Sequence, residues 1–328
     1  MKKIIYNIFL LLPLLSFAQF EPQAGQSGST AIFKDSSAFK AWAKSCKLFR
    51  GYQNIAKPSA GLASVGDENA PLGKAGTNGV VSLGDAGTAI LTFEIPITNG
   101  EGYDFAVFEN GFKEIGGSFD FLEFAFVEVS SDGIRFVRFP SEYKGQTTTQ
   151  VGSFEPIDTR LYHNLAGKYT ASYGTPFDLD ELKDSIGLDL NNITHVKIID
   201  VIGTIDPMYA THDSKGNIIN ETFPTEFGSS GFDLDAVGVI HSANPTGILT
   251  SNQKSVFSIY PNPCHDFIEI KAFNSISNLE LTDMSGIVLK NWTFAERTRI
   301  DISEIQAGSY LLKANTANGI FAQKLIVQ

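Results

Sequence analysis

The sequence predicts an all-β protein made of two β-sandwiches, the first with one short N-terminal helix and the second small, Ig-like and seven-stranded. Phe and Gly are abundant, at 26 and 30 residues, whereas Met occurs 3 times. Short stretches with alternating apolar residues recur along the chain, and turn dipeptides separate them. This composition and this spacing are typical of many short strands joined by tight turns.

The N-terminus has the pattern of a signal peptide. Two lysines precede an apolar stretch (4–15), and residues 16–18 form a small-x-small cleavage site. The apolar stretch is too short for a membrane span and Pro13 interrupts it, and no later segment has about 18 consecutive apolar residues. We therefore expect cleavage near Ala18 and a mature chain, residues 19–328, without a transmembrane segment.

Charge and cysteine content narrow the class of protein further. The chain has 25 Lys and Arg against 36 Asp and Glu, a net charge of −11, which becomes −13 when the two signal lysines are removed. An acidic exterior disfavours nucleic acid and anionic membrane as partners. Cys46 and Cys264 fall in different predicted domains, so we expect no disulfide within a domain.

The expected helix lies in the stretch DSSAFKAWAKSCKLF, residues 35–49. Asp35 or Ser36 could cap its N-terminus, because a short polar side chain there accepts a hydrogen bond from a free backbone N–H group. Apolar residues follow at helical spacing, which predicts one short amphipathic helix. These residues are Phe39, Trp42, Ala43 and Cys46.

Strands are expected in the rest of the first domain, residues 19–241. The stretch 79–97 predicts a hairpin, because Gly84-Asp85-Ala86-Gly87 separates two apolar runs. Residues 120–140 predict a second hairpin with its turn at 131–133, and residues 194–203 predict one strong strand.

A linker and a smaller β-rich domain follow. Residues 242–254 are polar and contain Pro, Gly and Ser, which is typical of a linker. Residues 255–328 contain seven short stretches with alternating apolar residues, which predicts a small sandwich.

The second domain resembles a known targeting module. The stretches FSIYPNPCHDFIEI, LELTDMSGIVL and AGSYLLKANTANGIFAQKLIVQ resemble the C-terminal sorting domain of the type IX secretion system of Bacteroidota. The resemblance covers residues 255–328. It implies that the type IX machinery is a partner, that the protein is secreted or placed on the outer-membrane surface, and that the domain is commonly removed.

The first domain is similar to a family of secreted bacterial cell-surface proteins. The similarity lies in a Ser-Leu-Gly hairpin, a strand YDFAVFEN and a closing strand FDLDAV, and it covers residues 30–241. The closing strand also resembles the last strand of jelly-roll carbohydrate-binding modules. The resemblance implies a jelly-roll-like sandwich, and some relatives are expected in corrinoid-uptake systems. A glycan or a cobalamin-like corrinoid is therefore the expected ligand.

The closing strand raises a question of charge. Side chains alternate along a strand, so Asp233, Asp235, Val237 and Val239 are expected to share one face, with the two acids about 6.5–7 Å apart. Charges on a buried face are unfavourable unless a cation, an arginine or a set of backbone N–H groups receives them.

Other acids also lie in apolar strands. Asp104 and Glu109 are found in YDFAVFEN, and Asp200 shares an interior face with Val196 and Ile198. Calcium suits such a set, because it takes six to eight hard oxygen ligands, whereas zinc would need His and Cys spacings that the sequence lacks.

We therefore hypothesise a structural Ca²⁺ that draws on Asp233, Asp235, Glu109 or Asp104. The alternative is a set of strand-end acids that accept hydrogen bonds from turn amides and bind no metal.

Aromatic residues in the long loops could form a ligand platform, since their faces suit sugar or corrin rings. The candidates are Trp42, Tyr52, Tyr162, Tyr169, Tyr173, Tyr209 and the nearby His212. Packing in the core or in a loop is the alternative role for each of them.

Three functions are compatible with these patterns. The first is a non-catalytic extracellular ligand-binding protein. The second is a glycan-active hydrolase or lyase, which needs two carboxylates about 5–9.5 Å apart, as Asp233 and Asp235 could supply. The third is a structural or adhesive surface protein. The sequence shows no nucleophile elbow, no His-Glu-x-x-His motif and no phosphate loop, which favours the first function.

Overall fold

The computed structural model describes residues 20–114, 117–243, 257–272, 276–284, 286–293, 297–316 and 319–328. The chain divides into two compact units, residues 1–243 and 244–328. The predicted signal peptide and residues 244–254 of the predicted linker lie outside the described residues. Within the described residues, no helix is both long and apolar enough to cross a bilayer.

The first unit is built almost entirely from strands. Its three helices in the described residues are single 3₁₀ turns, Pro58–Ala60, Thr159–Leu161 and Leu179–Leu182. Its strands are β1 (Ile32–Phe33), β2 (Ala41–Trp42), β3 (Ser45–Phe49), β4 (Val81–Ser82), β5 (Thr88–Ile97), β6 (Phe105–Glu109), β7 (Phe112–Lys113), β8 (Asp120–Phe121), β9 (Ala125–Ser130), β10 (Val137–Arg138), β11 (Glu142–Tyr143), β12 (Tyr162–His163), β13 (Tyr173–Phe177), β14 (Ile193–Asp200) and β15 (Asp233–Val239).

Two large sheets form the sandwich. The first has the order β1-β13-β6-β15-β2, with β4 also paired to β15, and the second has the order β10-β9-β14-β5-β3. Apolar side chains from both sheets form one buried core, including Val107 on β6 and Val237 on β15 against Leu91 on β5 and Val196 on β14. Two facing sheets that share a core define a β-sandwich.

The predicted N-terminal helix is wrong. Residues 41–42 and 45–49 form strands β2 and β3, which pair with β15 and β5.

 Trp42 packs against Phe39 and Phe108 in a separate small cluster, whereas Ala43 lies in the main core. The chain forms strands here despite the helical spacing, because each strand gains backbone hydrogen bonds to a neighbouring strand and buries alternate side chains.

The first predicted hairpin is also wrong. β4 and β5 flank the predicted turn, but β4 pairs with β15 in the first sheet and β5 pairs with β3 and β14 in the second. The connection, residues 83–87, therefore carries the chain from one sheet to the other. Gly84 and Ala86 have positive φ angles of 75° and 62°, which a change of direction over so few residues requires. The second predicted hairpin is confirmed, since β9 pairs with β10.

A β-bulge alters the closing strand. Leu234 lies opposite Glu109 and Ala236 lies opposite Phe108, so Asp235 is an extra residue on β15. The predicted alternation is therefore wrong beyond this point. Val237 and Val239 join Phe232 and Leu234 in the main core, and they do not share a face with the two acids.

The second unit contains seven strands within its described residues, at the predicted positions. They are β16 (Phe257–Tyr260), β17 (Phe267–Ala272), β18 (Ile276–Asp283), β19 (Val288–Thr293), β20 (Arg297–Asp301), β21 (Gly308–Thr316) and β22 (Gly319–Val327). They form one sheet of order β16-β17-β20 and one of order β19-β18-β21-β22, around a separate apolar core.

Candidate functional site

The candidate site is organised by two neighbouring strands of the first sheet. β6 and β15 are antiparallel, with Phe105 opposite Val239 at one end and Glu109 opposite Leu234 at the other. Asp104 therefore lies at one end of β6 and Glu109 at the other, about 16 Å apart by strand rise. One ion cannot bind both carboxylates, so Asp104 does not belong to the predicted calcium set.

Asp104 is a buried acid with a full set of donors. Its carboxylate accepts hydrogen bonds from the backbone N–H groups of Gly100 and Leu179, at 2.7 and 2.8 Å, and lies 2.9 Å from His241 Nδ1. Burial raises the pKa of Asp104, and these hydrogen bonds oppose that rise. Its local contacts explain its burial without a metal.

The other end of the strand pair gathers six buried carboxylates, which we call the acid cluster. Each of these residues is at most 6% exposed. The members are Asp85, Glu109, Glu123, Asp200, Glu221 and Asp233. Burial is the largest cause that raises the pKa of each one, and for four of them the charges of other members add to the rise. Like charges in a low-dielectric interior destabilise one another strongly.

Asp233 and Asp235 begin β15 but have different partners. The Asp233 carboxylate accepts hydrogen bonds from Ser82 Oγ and from Asn110 Nδ2, the latter at 3.1 Å. Burial raises the pKa of Asp233 to about 6. Both oxygens of Asp235 lie 2.9 Å from the backbone nitrogen of Gly76. The Asp235 carboxylate thus accepts hydrogen bonds from a loop amide, whereas Asp233 belongs to the acid cluster.

Asp200 ends β14 and is held by the backbone. Its two oxygens accept hydrogen bonds from the N–H groups of Phe232, at 2.7 Å, and Ala86, at 3.1 Å. This confirms the interior position predicted for Asp200, which is 1% exposed. The same contacts tie the start of β15 to the connection between β4 and β5.

The charges of other acids act on both Glu109 and Glu123. Glu109 Oε2 accepts a hydrogen bond from the N–H group of Gly111 at 2.7 Å, but Oε1 is buried and has no partner among the described residues. Burial and the charges of four other members raise the pKa of Glu123. Buried polar atoms in folded proteins are almost always hydrogen-bonded, so an unpaired carboxylate oxygen requires an explanation.

Sequence reasoning missed three members of the acid cluster. Glu123 precedes β9, and Asp85 and Glu221 lie in loops. Asp85 and Glu221 have no strand pattern around them, whereas Glu123 lies between Leu122 and Phe124 in the predicted hairpin 120–140, an apolar context that could have indicated it. Within the described residues, no group of three or more His, Cys, Asp or Glu side chains is arranged so that it could hold a metal ion.

The predicted aromatic platform is dispersed. Tyr162 and Tyr169 are 1% exposed and belong to the interior. Trp42 packs on Phe39 and Phe108, and Tyr173 packs on Phe33 with ring centroids 5.4 Å apart. Ring contacts thus tie these two residues to other aromatics.

The remaining candidates lie in loops. Tyr52 is 38% exposed and forms isolated bridges to Leu62 and Asp85. Tyr209 lies in a turn that its backbone N–H closes on Asp206, and the exposed His212 forms a bridge to Ile218. Among the described residues, no ring contact joins two of the predicted platform residues. Tyr162 stacks on Phe124 and contacts Tyr143, and neither of these belongs to that set.

A different set of four rings is continuous, with Phe112, Phe154 and Phe227 exposed and Phe121 half-buried. Phe112 on β7 stacks on Phe121 on β8 at 4.8 Å, Phe121 lies 6.2 Å from Phe154, and Phe154 stacks on Phe227 at 5.4 Å. Phe112 and Phe154 are 56% and 71% exposed. We call these four residues the phenylalanine ladder. No local sequence pattern predicts this ladder, because the four residues come from separate loops and short strands.

Comparison with known proteins identifies the second unit. Residues 258–328 match the family model described as "Secretion system C-terminal sorting domain". This confirms the predicted sorting domain, which implies an interaction with the type IX secretion machinery. The tail marks the protein for export to the cell surface or outer membrane.

The other comparisons do not extend this result to the first unit. The curated proteins give no match. Among solved structures, the chain is similar to one described as "Biofilm associated protein - BSP domain", with 9% identity and a TM-score of 0.19. The alignment covers 89% of this chain and 52% of that one, so the chain spans about half the length of the protein it matches. A likeness of this size carries no argument about fold or function.

Proposed function

We propose that the protein is exported through the type IX system and binds an extracellular glycan, without catalysis, on the phenylalanine ladder of its first unit. The observation that carries this proposal is the exposure of stacked rings. Large apolar side chains on a soluble protein are normally buried or scattered, and a contiguous exposed group marks an interaction surface.

The chemistry of the ladder suits a sugar. The C–H face of a sugar ring packs on an aromatic face, and each exposed phenylalanine offers such a face. Phe112 and Phe154 are 56% and 71% exposed and belong to two different stacked pairs, and two exposed rings along one ladder favour a chain of sugars over a single one. A corrinoid, the other ligand class expected from the sequence, is the competing outcome of the test.

The burial of the acids favours binding over hydrolysis. A glycosidase needs two carboxylates in contact with its substrate and with water. Asp233 and Asp235 are 6% and 7% exposed, and Ser82, Asn110 and Gly76 occupy their oxygens. A sugar cannot reach these carboxylates without rearrangement of the strand end.

The test measures ligand binding to the chain without its predicted signal peptide, residues 19–328. A panel of glycans and cobalamins is screened by thermal shift, and hits are titrated by calorimetry. We expect a glycan to bind, and Phe154→Ala to weaken it about tenfold, because an aromatic contact contributes about 0.5–1.5 kcal/mol beyond the apolar area that it buries.

A matched control is Ile134→Ala, which also removes an exposed apolar side chain, at 86% exposure, but lies outside the ladder. It should leave affinity unchanged. Equal affinity of Phe154→Ala and wild type would remove the ladder from the proposal, and binding of cobalamins alone would replace the glycan with a corrinoid.

A further inference from the structure

We propose that Asn78 is a site of spontaneous deamidation, at which the exposed Asn78-Gly79 pair closes to a succinimide that water opens to aspartate and isoaspartate. The pair lies in residues 61–80, which connect the 3₁₀ turn Pro58–Ala60 to β4. This modification site is separate from the phenylalanine ladder and does not depend on the proposed glycan.

The reaction needs only the chain and water. The backbone nitrogen of Gly79 attacks the side-chain carbonyl carbon of Asn78, so a new C–N bond forms. The bond from that carbon to Nδ2 breaks, and ammonia leaves with the proton of the attacking nitrogen. Water then adds to either carbonyl of the succinimide ring and gives aspartate or isoaspartate. Asparagine is a thermolabile residue, and a following glycine has no side chain to obstruct ring closure.

The described residues contain three Asn-Gly pairs, which allows a comparison within one molecule. The pairs are residues 78–79, 99–100 and 110–111. A fourth pair, 318–319, includes residue 318, which lies outside the described residues. In each of the three pairs the asparagine Nδ2 atom donates a hydrogen bond, at 2.6–3.1 Å. The leaving group is therefore held in all three, and a difference in reactivity must come from the attacking nitrogen and its surroundings.

Of the three glycine nitrogens, two are held by buried carboxylates. The N–H group of Gly100 donates a hydrogen bond to Asp104 Oδ1, and that of Gly111 donates one to Glu109 Oε2, each at 2.7 Å. The N–H group of Gly79 has no hydrogen-bond partner among the described residues. Attack by either of the other two nitrogens would first break a hydrogen bond and leave a buried carboxylate oxygen without its donor, which is unfavourable.

The space around the three pairs differs in the same direction. A methyl group on Gly79 would meet no atom of a non-neighbouring residue within 4 Å. A methyl group on Gly100 would collide with the His241 ring, and one on Gly111 would lie 2.8 Å from the backbone oxygen of Phe121. Both residues of the 78–79 pair are also exposed. The backbone there has room to close the ring, and water has access to open it.

The product would change the contacts of this connection. The hydrogen bond from Asn78 Nδ2 to the backbone oxygen of Leu72, at 2.6 Å, would be lost, because a carboxylate has no proton to donate. A negative charge would appear two residues after Gly76, whose N–H group donates to the Asp235 carboxylate. Deamidation therefore adds a charge close to the loop amide that holds the start of β15.

The experiment incubates residues 19–328, folded, at mildly alkaline pH, with a parallel sample in urea. Peptide mapping by mass spectrometry follows the conversion of amide to carboxylate at each pair, and chromatography separates the aspartate and isoaspartate products. We expect Asn78 to react at least about tenfold faster than Asn99 and Asn110 in the folded protein, because a protected amide reacts only through local opening. In urea the three rates should converge. Equal rates in the folded protein, or no conversion of Asn78, would overturn the proposal.

Two matched variants locate the reaction. Asn78→Gln keeps the amide but lengthens the side chain by one methylene, so the five-membered ring cannot form, and the peptide that contains residue 78 should keep its mass. The control is Asn69→Gln, because Asn69 is also exposed in the same connection but precedes Ala70. It should leave the rate at Asn78 unchanged. A peptide over residue 78 that still gains a carboxylate in Asn78→Gln would place the reaction at another residue and would also overturn the proposal.

Discussion

The two ends of the β6–β15 pair carry buried acids in opposite situations. At one end Asp104 accepts two backbone hydrogen bonds and lies 2.9 Å from His241. At the other, Glu109 accepts one hydrogen bond, leaves Oε1 unpaired and is surrounded by further acids. Both acids are buried to the same degree. The difference shows that two equally buried acids can differ in how fully hydrogen-bond donors satisfy their oxygens.

The largest effect that tests this comparison is expected at the well-partnered end. Asp104→Ala would leave the N–H groups of Gly100 and Leu179 without their acceptor and would remove the partner of His241. We expect a loss of about 3 kcal/mol in the free energy of unfolding, because unpaired buried donors cost about 1–3 kcal/mol each. Urea denaturation with and without calcium measures it.

The loss should not depend on calcium, because backbone amides and His241 already satisfy the Asp104 carboxylate. A loss below about 1 kcal/mol would show that the donors of Asp104 find other acceptors and that this end is less dependent on its acid than the structure implies.

A smaller effect is expected from the pH dependence of the acid cluster in EDTA. Burial raises the pKa of Asp85 from 3.8 to about 6. A group whose folded-state pKa is raised contributes stability that is fully present below its unfolded pKa and is lost as the pH rises through its folded pKa. Wild type should therefore lose stability relative to Asp85→Asn between pH 4 and 7, by at most about 3 kcal/mol.

The opposite sign is expected for Asp132→Asn, which serves as the control. Backbone hydrogen bonds from Ile134 and Arg135 lower the pKa of Asp132. The stability that Asp132 contributes is present above its unfolded pKa and is lost as the pH falls. Wild type should therefore become more stable relative to Asp132→Asn as the pH rises. Thermal melts across the same pH series measure both variants. Parallel pH curves for Asp85→Asn and wild type would show that Asp85 stays ionised in the folded protein.

The sequence predicted those parts of the site that repeat a local pattern. Asp104, Glu109, Asp200 and Asp233 stand out because each interrupts or ends an apolar strand, and all four are buried. Their separation into two ends could not be predicted, because it depends on which strands pair and in which direction. A hydrophobic pattern specifies a strand and its faces but not its neighbour.

Two wrong predictions show which structural features a local sequence pattern does not indicate. Phe39, Trp42 and Ala43 fit a helical spacing, yet the chain forms two short strands there, because tertiary pairing with β15 and β5 outweighs propensity. The bulge at Asp235 shifted the alternation of β15 by one residue. Such a shift changes the face of every later side chain, and no residue type marks it in the sequence.

The smallest effect is expected from His241, the side-chain partner of Asp104. His241→Ala removes one contact from the Asp104 carboxylate but leaves the two backbone donors, Gly100 and Leu179, in place. The histidine side chain is 34% exposed, so solvent weakens its interaction with the acid. We expect a loss of at most about 1 kcal/mol, against about 3 kcal/mol for Asp104→Ala.

The double variant Asp104→Ala/His241→Ala completes the cycle and isolates the coupling between the two side chains. A coupling free energy well below the loss caused by Asp104→Ala would mean that backbone amides, rather than His241, satisfy most of the Asp104 carboxylate. If His241→Ala costs as much as Asp104→Ala, an ion pair stabilises this end instead. The two ends would then differ in the positive charge near each acid rather than in the number of hydrogen-bond donors.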